Sequence, residues 1–490
     1  PDEILAVTLA NKLGRPVRWT ETRSEAAFST HQGRAQNQRI ELAADGDGKL
    51  LGVRVHLDAD MGAYMMLITP GVPLLGSFLY TGVYDVPAFG FTCDGWFTNL
   101  TPTDAYRGAG RPEASYAIER AMDILASKVG IGPDEIRRRN YLADGEHFEN
   151  LDVPSTLTFD SGHYGPTLDR ALELAGYGDL RAEQQARRDA GSSKQLGIGL
   201  CTYVEICGLA PSRALGGLGF GSGGWEHATV RMLPTGKVEV VSGSTPHGQG
   251  HETSWSQIVA DKLGVAPEDV EVLHSDTAIS PLGLDTYGSR SLAVGGVAIA
   301  SACDKVVEKA KLMAAHSMEA SADDLEFNSG MFSVAGSPDK AMAIQEVAFG
   351  AFTAHDLPDG MEPNLQEQTT WDPPNFAFPF GTHVAVVEID EDTGNVELLN
   401  YVAVDDCGVQ VNPMIVEGQV HGGIAQGVGQ ALWEGANYDE DGNCTNPSFM
   451  DYLVPSSMEM PNFTLDFTVT PSTSNPLGVK GVGEAGTIGS

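Results

Sequence analysis

The sequence predicts an α+β fold of two large domains, each built of α+β units with mixed or antiparallel sheets and packed helices. Three observations carry this expectation. Strand-pair signals recur three times, each pair runs into a loop of small residues, and helix-period phrases follow the loops. In the first pair, alternating residues over Arg39–Ala44 turn through Asp45–Gly48 into Leu51–Asp60, which opens on Met61-Gly62-Ala63-Tyr64. In the second, Ala228–Met232 turns at Pro234-Thr235-Gly236 into Val238–Val241 and then the glycine-rich loop Gly243–Gly250. In the third, Val384–Ile389 turns through Glu391–Asn395 into Val396–Asp405, followed by Asp406-Cys407-Gly408. Gly, Asp, Asn and Pro between alternating runs are hairpin chemistry, and three similar hairpins suggest related units.

The helical phrases come next. Ala117, Ala121, Ile124 and Leu125 repeat at helical spacing, and Trp255, Val259 and Leu263 form a stripe ended by Gly264. Asn412-Pro413 reads as an N-cap followed by Pro at the first helical position, opening a run to about Trp433. That run carries Gly418, Gly422, Gly423, Gly427 and Gly429. Glycines cost a helix roughly 1 kcal/mol each, so this one is expected to be buried against another backbone or a ligand.

A chain of 490 residues exceeds a single core, since cores stop growing at about 250 to 300 residues. The charged, turn-free stretch Leu180–Lys194 reads as an exposed helix and linker. The first domain is therefore expected over residues 1–179 and the second over 195–490, with 180–194 between them. A softer break is expected near Pro358–Pro374.

Acidic residues number 66 against 30 basic, a formal charge of -36, which repels phosphate backbones and anionic lipid heads. Nucleic acid and bare membrane are poor partners. No apolar stretch approaches the 18 or so residues that cross a bilayer, and Pro1-Asp2-Glu3 opens no signal-peptide pattern. Both ends of the chain read as cut. The six cysteines form no C-x-x-C pair, which argues against a zinc ribbon, an iron–sulfur cluster or a disulfide framework and suits a reducing, cytoplasmic compartment.

Gly243–Gly250 lies between a strand and a helix, where free backbone N–H groups can hold an anion. No Gly-Lys-Ser/Thr follows it, and the literal G-x-G-x-x-G at Gly219, Gly221 and Gly224 precedes a strand, so the nucleotide fingerprints fail on context. Gln249 offers an amide that both donates and accepts, which suits the edge of a heterocycle. His247 and His251 are separated by Gly-Gln-Gly and read as loop histidines; no convincing His/Cys metal-ligand set occurs. Near the end, Gly481-Val482-Gly483-Glu484-Ala485-Gly486 sets one carboxylate among tiny residues. A large ligand close by would desolvate Glu484 and raise its pKa toward that of a general base.

These phrases together resemble the molybdopterin-binding large subunit of the xanthine dehydrogenase/aldehyde oxidase family, particularly the aerobic carbon monoxide dehydrogenase large-subunit-like branch. The anchors run in order: Ala105-Tyr106-Arg107-Gly108-Ala109-Gly110-Arg111, Gly248-Gln249-Gly250, Tyr287-Gly288-Ser289-Arg290-Ser291, Asn412-Pro413 through Glu417-Gly418-Gln419-Val420-His421-Gly422-Gly423, and Gly478-Val479-Lys480-Gly481-Val482-Gly483-Glu484. The resemblance implies two domains around a molybdenum-molybdopterin cofactor, expected in its cytosine dinucleotide form, with the metal held by the pterin dithiolene and not by side chains. It places Gln249, Gly250, Arg107, Gly108, Gly288 and Ser289 at the cofactor, with Cys407, Gln419 and Gly422 toward its dinucleotide end. Tyr106 and Ala109 would face the substrate pocket, and Glu484 would be the catalytic base.

The implied activity is oxidative hydroxylation of an aldehyde or N-heteroaromatic carbon with water as the oxygen source. Electrons would leave to an iron–sulfur small subunit and an FAD medium subunit, in a heteromeric oligomer. Two departures bear on substrate. Gly108 stands where true carbon monoxide dehydrogenases carry a copper-binding Cys, and Ala109 where purine-oxidising relatives carry an aromatic. Carbon monoxide oxidation is therefore the lesser alternative, and a non-catalytic cofactor-binding scaffold is another. Molybdenum content without turnover on any substrate distinguishes the scaffold.

Overall fold

The structure is a computed structural model that describes residues 2–280 and 282–490; Pro1 and Pro281 lie outside the described residues. All three expected hairpins form. Gln36–Ala44 pairs antiparallel with Leu50–Gly62, Glu226–Met232 with Val238–Ser242, and Phe380–Asp390 with Val396–Asp406. Each second strand then receives a parallel neighbour after a helical crossover: Phe89–Phe97, Val270–Leu273 and Phe463–Phe467 respectively. Three hairpins with the same parallel addition give the recurring units a shared topology that the turn pattern alone did not contain. Leu365–Trp371 and Lys194–Val204 complete two of the sheets at four strands each.

Helices follow the sequence signals with one shift of face. His251–Leu263 buries Trp255, Val259 and Leu263 and stops at Gly264 in the left-handed region. Arg111–Val129 forms, but it turns Ala114, Ala117, Ile118, Met122 and Ala126 inward, while Ile124 is 46% exposed. The apolar repeat was compatible with two adjacent faces, and packing chose the one bearing Ile118 and Met122. The expected softer break at Pro358–Pro374 instead contains the strand Leu365–Trp371, which pairs along its full length with Glu226–Met232. Its Gln and Thr residues alternate with buried Leu365 and Thr369, which is how a half-exposed edge strand reads.

Pro413–Leu432 starts as expected, with the Asn412 side chain accepting from the Ile415 N–H at 3.0 Å. A Cβ on Gly423 would stand 2.8 Å from the Gly486 Cα, so the helix lies backbone against backbone on the segment that follows Glu484. Tyr177–Asp189 is an exposed helix with Gln184 its one buried residue. The largest core joins Val53, Met122 and Phe159 to Leu200, Phe378, Val384 and Val402 across that helix, so the two halves of the chain share apolar packing. A second core fills the space between the Glu226–Met232 sheet and the Val297–Ser317 helix. Among the described residues, no helix is long and apolar enough to cross a membrane.

Candidate active site

The loops that leave the central strands of the second and third units converge. Residues around Gln249 come from the first of these loops, and Cys407 with the opening turns of Pro413–Leu432 come from the other. Two further segments, Tyr287–Leu292 and Lys480–Glu484, close the opposite wall, and Arg107 reaches in from the first half of the chain. Between them lies a cavity of about 480 Å³.

Arg107 stitches these walls together. Its Nε donates to the Gly483 carbonyl at 2.7 Å and its Nη2 to the Gln419 carbonyl at 3.1 Å. Ser289 supports the carboxylate: its Oγ accepts from the Gly483 N–H at 3.0 Å and donates to Glu484 Oε2. The segment bearing Ser289 is held from behind by Arg290, which is fully buried and bonds Glu226, the Gly224 and Trp225 carbonyls and the Asp285 carbonyl.

Of the sequence-predicted residues, Arg107, Gln249, Gly288, Ser289, Cys407, Gln419, Gly422 and Glu484 border the one cavity. Gly250 sits just behind it as the residue capping the His251–Leu263 helix, against Ile415. Gly108, Ala109 and Tyr106 do not border it. Ala109 is buried, and the Tyr106 hydroxyl bonds the Gln426 amide while its ring lies 4.9 Å from the Arg34 guanidinium. His251 departs from the loop reading: it is the first residue of the helix, buried against the Trp255 ring at 4.3 Å. Burial pushes its pKa down to about 4, so the ring is neutral.

Glu484 also departs from expectation. Burial does push its pKa up, but the Arg111 charge, the Ser289 hydroxyl, a hydrogen bond from Glu205 and the Arg107 charge together outweigh burial and hold it below the usual carboxylate range. Arg111 Nη2 is 3.3 Å from Glu484 Oε1, and Arg111 Nη1 is 3.0 Å from Glu205 Oε1. Arg111 closes the first anchor phrase but is given no role by it, and Glu205 is not singled out from sequence. An isolated acid in the apolar run Thr202-Tyr203-Val204-Glu205-Ile206 was the available signal, because acids are almost never fully buried unless paired. At Cys407 burial raises the thiol to about 12, so it lines the cavity as a neutral group.

This fold and cavity define a chain that holds a large organic cofactor between glycine-lined loops. The molybdopterin cofactor-binding domain description matches residues 1–141 and again 170–461, and the chain belongs to the molybdopterin-binding domains of the xanthine dehydrogenase family. It is 40% identical to the carbon monoxide dehydrogenase large chain of Hydrogenophaga pseudoflava, over 100% of this chain and 61% of that protein. It is 34% identical to the nicotine 6-hydroxylase large subunit of Paenarthrobacter nicotinovorans, over 100% of this chain and 59% of the relative. The crystal structure of quinoline 2-oxidoreductase from Pseudomonas putida 86 superposes with a TM-score of 0.92 at 37% identity, covering 100% of this chain and 62% of the other. The chain thus spans about three fifths of the length of the relatives it matches.

The residues present fit such a cofactor. Lys480, whose backbone borders the cavity, turns its buried Nζ away to Asp406 Oδ1 at 3.5 Å and the face of the Phe380 ring at 4.8 Å. His251 Nδ1, also in the cavity wall, is buried without a hydrogen-bond partner among the described residues. A Cβ at Gly248 or Gly418 would meet nothing within 4 Å, so both glycines leave open space on the cavity side. A buried ring nitrogen without a partner, beside open, glycine-floored space, suits a polar ring system that brings its own hydrogen-bonding groups.

Proposed function

We propose that this chain is the catalytic part of a molybdenum hydroxylase large subunit that oxidises an aldehyde or an N-heteroaromatic carbon with oxygen taken from water. The observation that carries the reading is a buried carboxylate, Glu484, kept ionised at the wall of the cavity that Gln249 and Arg107 also line. When bound, a molybdenum-pterin group supplies Lewis acidity and a two-electron sink. The chain's residues supply the rest. Glu484 accepts a proton at its carboxylate, Ser289 and Arg111 fix the direction in which that carboxylate points, and Arg107 holds the Gly483 turn beside Gln419 of the Pro413–Leu432 helix. The Gln249 side-chain oxygen accepts the His247 N–H, which leaves its amide N–H₂ free to donate to a ring edge. The neutral Cys407, with Gln419 and Gly422, lines the part of the cavity assigned here to a cytosine dinucleotide form.

Iron–sulfur and FAD subunits in a heteromeric complex are the electron acceptors of this proposal, supported by relatives named as large subunits. A cytoplasmic setting and a division into domains over 1–179 and 195–490 belong to it as well; the separate family matches support the division.

Carbon monoxide oxidation is a second reading, favoured by the name of the 40%-identical relative. Against it, Gly108 has φ +102°, and a Cβ there would lie 2.3 Å from the Pro112 ring, so the backbone at this point has no room for a thiol-bearing side chain. The test is turnover by the complete, cofactor-loaded complex on aldehydes, N-heteroaromatics and carbon monoxide, with Glu484→Gln alongside. An organic product that carries oxygen-18 from labelled water, lost by about 10²-fold or more in Glu484→Gln at unchanged molybdenum content, is expected. Oxidation of carbon monoxide alone, or full activity in Glu484→Gln, overturns the reading.

A further inference from the structure

Glu205 stands one residue beyond the strand Lys194–Val204, and its backbone N–H donates to the Pro379 carbonyl at 2.7 Å. Its side chain has no exposed surface, while Arg111 and Glu484 are 3% and 12% exposed. Oε1 of Glu205 accepts from Arg111 Nη1 at 3.0 Å. Oε2 is buried and receives no hydrogen bond from any group among the described residues. Glu484 Oε1 lies 3.3 Å from Arg111 Nη2, so the two carboxyls are brought together on one guanidinium. Two carboxylates cannot bond each other, because both only accept; a carboxyl and a carboxylate can.

The charges lead to the same place. One guanidinium serves two buried carboxyls, and ionising both leaves an uncompensated charge in a dry site. Arg107, the other cation facing the pair, spends its bonds on the Gly483 and Gln419 carbonyls. Tyr203 and Cys207, which flank Glu205 on its own stretch of chain, are kept neutral by burial.

We propose that Glu205 is a positioning residue that carries a proton on Oε2 and donates it as a hydrogen bond to Glu484, so that the pair holds one proton and one charge and the charge stays on the cavity side. The inference rests on Glu484 being the base of the proposed reaction. Burial and the Glu484 charge push the Glu205 carboxyl well above its ordinary value, against Arg111 and Arg107, which agrees with this proton assignment. Glu484 then receives three donors, from Ser289, Arg111 and Glu205. The arrangement keeps the base ionised and fixes its orientation, while Glu205 itself touches neither the cavity nor a substrate.

The test uses the complete cofactor-loaded complex and two kinds of readout. Infrared spectra of the wild-type complex are expected to show the C=O stretch of a protonated buried carboxyl, and Glu205→Gln is expected to lose it. In kinetics, Glu205→Ala removes the donor, so the acid limb of kcat/KM is expected to move up by about one pH unit and kcat to fall roughly tenfold. Glu205→Gln keeps an N–H₂ where the proton was and is expected to rescue most of that loss and return the acid limb. If Glu205 is simply an ionised counter-ion of Arg111, the band is absent from the wild type or persists in Glu205→Gln, and Gln rescues no better than Ala; either result overturns the inference. The infrared arm does not depend on turnover. Full activity in Glu484→Gln therefore sinks the catalytic reading, whereas a misplaced or missing carboxyl band sinks this inference.

Discussion

Arg290 and Glu226 form an ion pair at 3.0 Å in which neither side chain has any exposed surface, and the residue before Arg290 is the Ser289 that donates to Glu484. The pair is well satisfied. Glu226 also accepts from the Ser244 hydroxyl at 3.1 Å and the His227 N–H at 3.0 Å, and Arg290 bonds the carbonyls of Leu209, Gly224, Trp225 and Asp285. Through it, the start of an inner strand of one sheet sets the place of the active-site serine. Removing one partner strands the other charge, so Glu226→Ala is expected to cost about 3–5 kcal/mol and to lower the melting temperature. Glu226→Gln, which keeps the acceptor oxygen and loses the charge, is expected to cost less. Equal melting temperatures for Glu226→Ala and wild type would show that the pair does not hold the segment.

Gly423 predicts a coupling between helix packing and catalysis. A methyl group there would stand 2.8 Å from the Gly486 Cα, in rigid backbone two residues from Glu484. Gly423→Ala is expected to gain a few tenths to 1 kcal/mol of helix propensity and to lose more than that to the displaced Ala485–Gly489 turn. The net result is a lower melting temperature together with a reduced kcat. Gly418, on the cavity-facing side with open space around it, provides the contrast. Gly418→Ala is expected to leave stability intact and to weaken retention of the cofactor, measured as molybdenum per chain after dialysis.

Much of this was legible because it is local. Turn residues and two-residue alternation announce each hairpin, and the Asn-Pro cap announces the long helix, without knowledge of the rest of the chain. The loops were legible for a different reason: Gly248-Gln249-Gly250 and Gly481-Val482-Gly483-Glu484 are unusual in composition wherever they fold. What escaped was long-range. Arg111 meets Glu205 across 94 positions and Glu484 across 373, and no periodicity links residues so far apart. The direction of the Glu484 pKa shift escaped with them. Tiny neighbours suggest burial and hence a raised value, whereas three hydrogen-bond donors contributed by remote segments reverse it. Ile124 shows the same limit in a helix, where a four-residue apolar repeat fits two faces and only the facing sheet decides.

Gly108 tests whether the loop after Arg107 has room for a side chain. Its φ of +102° and the 2.3 Å approach of the Pro112 Cγ both oppose a Cβ. Gly108→Cys is expected to destabilise the protein by about 1–3 kcal/mol through backbone strain and overpacking. Because Arg111 Nε donates to the Gly108 carbonyl, the shift is also expected to loosen the guanidinium that joins Glu205 to Glu484. The matched measurement is the melting temperature together with kcat. A stable, fully active Gly108→Cys protein would mean that this loop adapts freely.

The carboxyl pair makes stability depend on pH in two opposite ways. Glu484 is held below its unfolded value of 4.5, so its contribution is fully present above that value and is lost as pH falls through the lower folded value. Glu205 is raised above 4.5, so its contribution is complete below that value and is lost as pH rises toward the folded value. Over that upper window the native state holds a proton that the unfolded chain has released, and stability declines by about 1.4 kcal/mol per pH unit from this group alone. Glu205→Gln abolishes the proton uptake. The melting temperature of the variant, measured against wild type from about pH 5 to about pH 8, is therefore expected to climb steadily relative to it, with the gap widest at the alkaline end. Glu484→Gln shows its difference on the acid side instead. Melting curves of wild type and Glu205→Gln that run parallel across the range would mean that folding leaves the Glu205 carboxyl at its ordinary value, and Arg111 would then be compensating two charges at once.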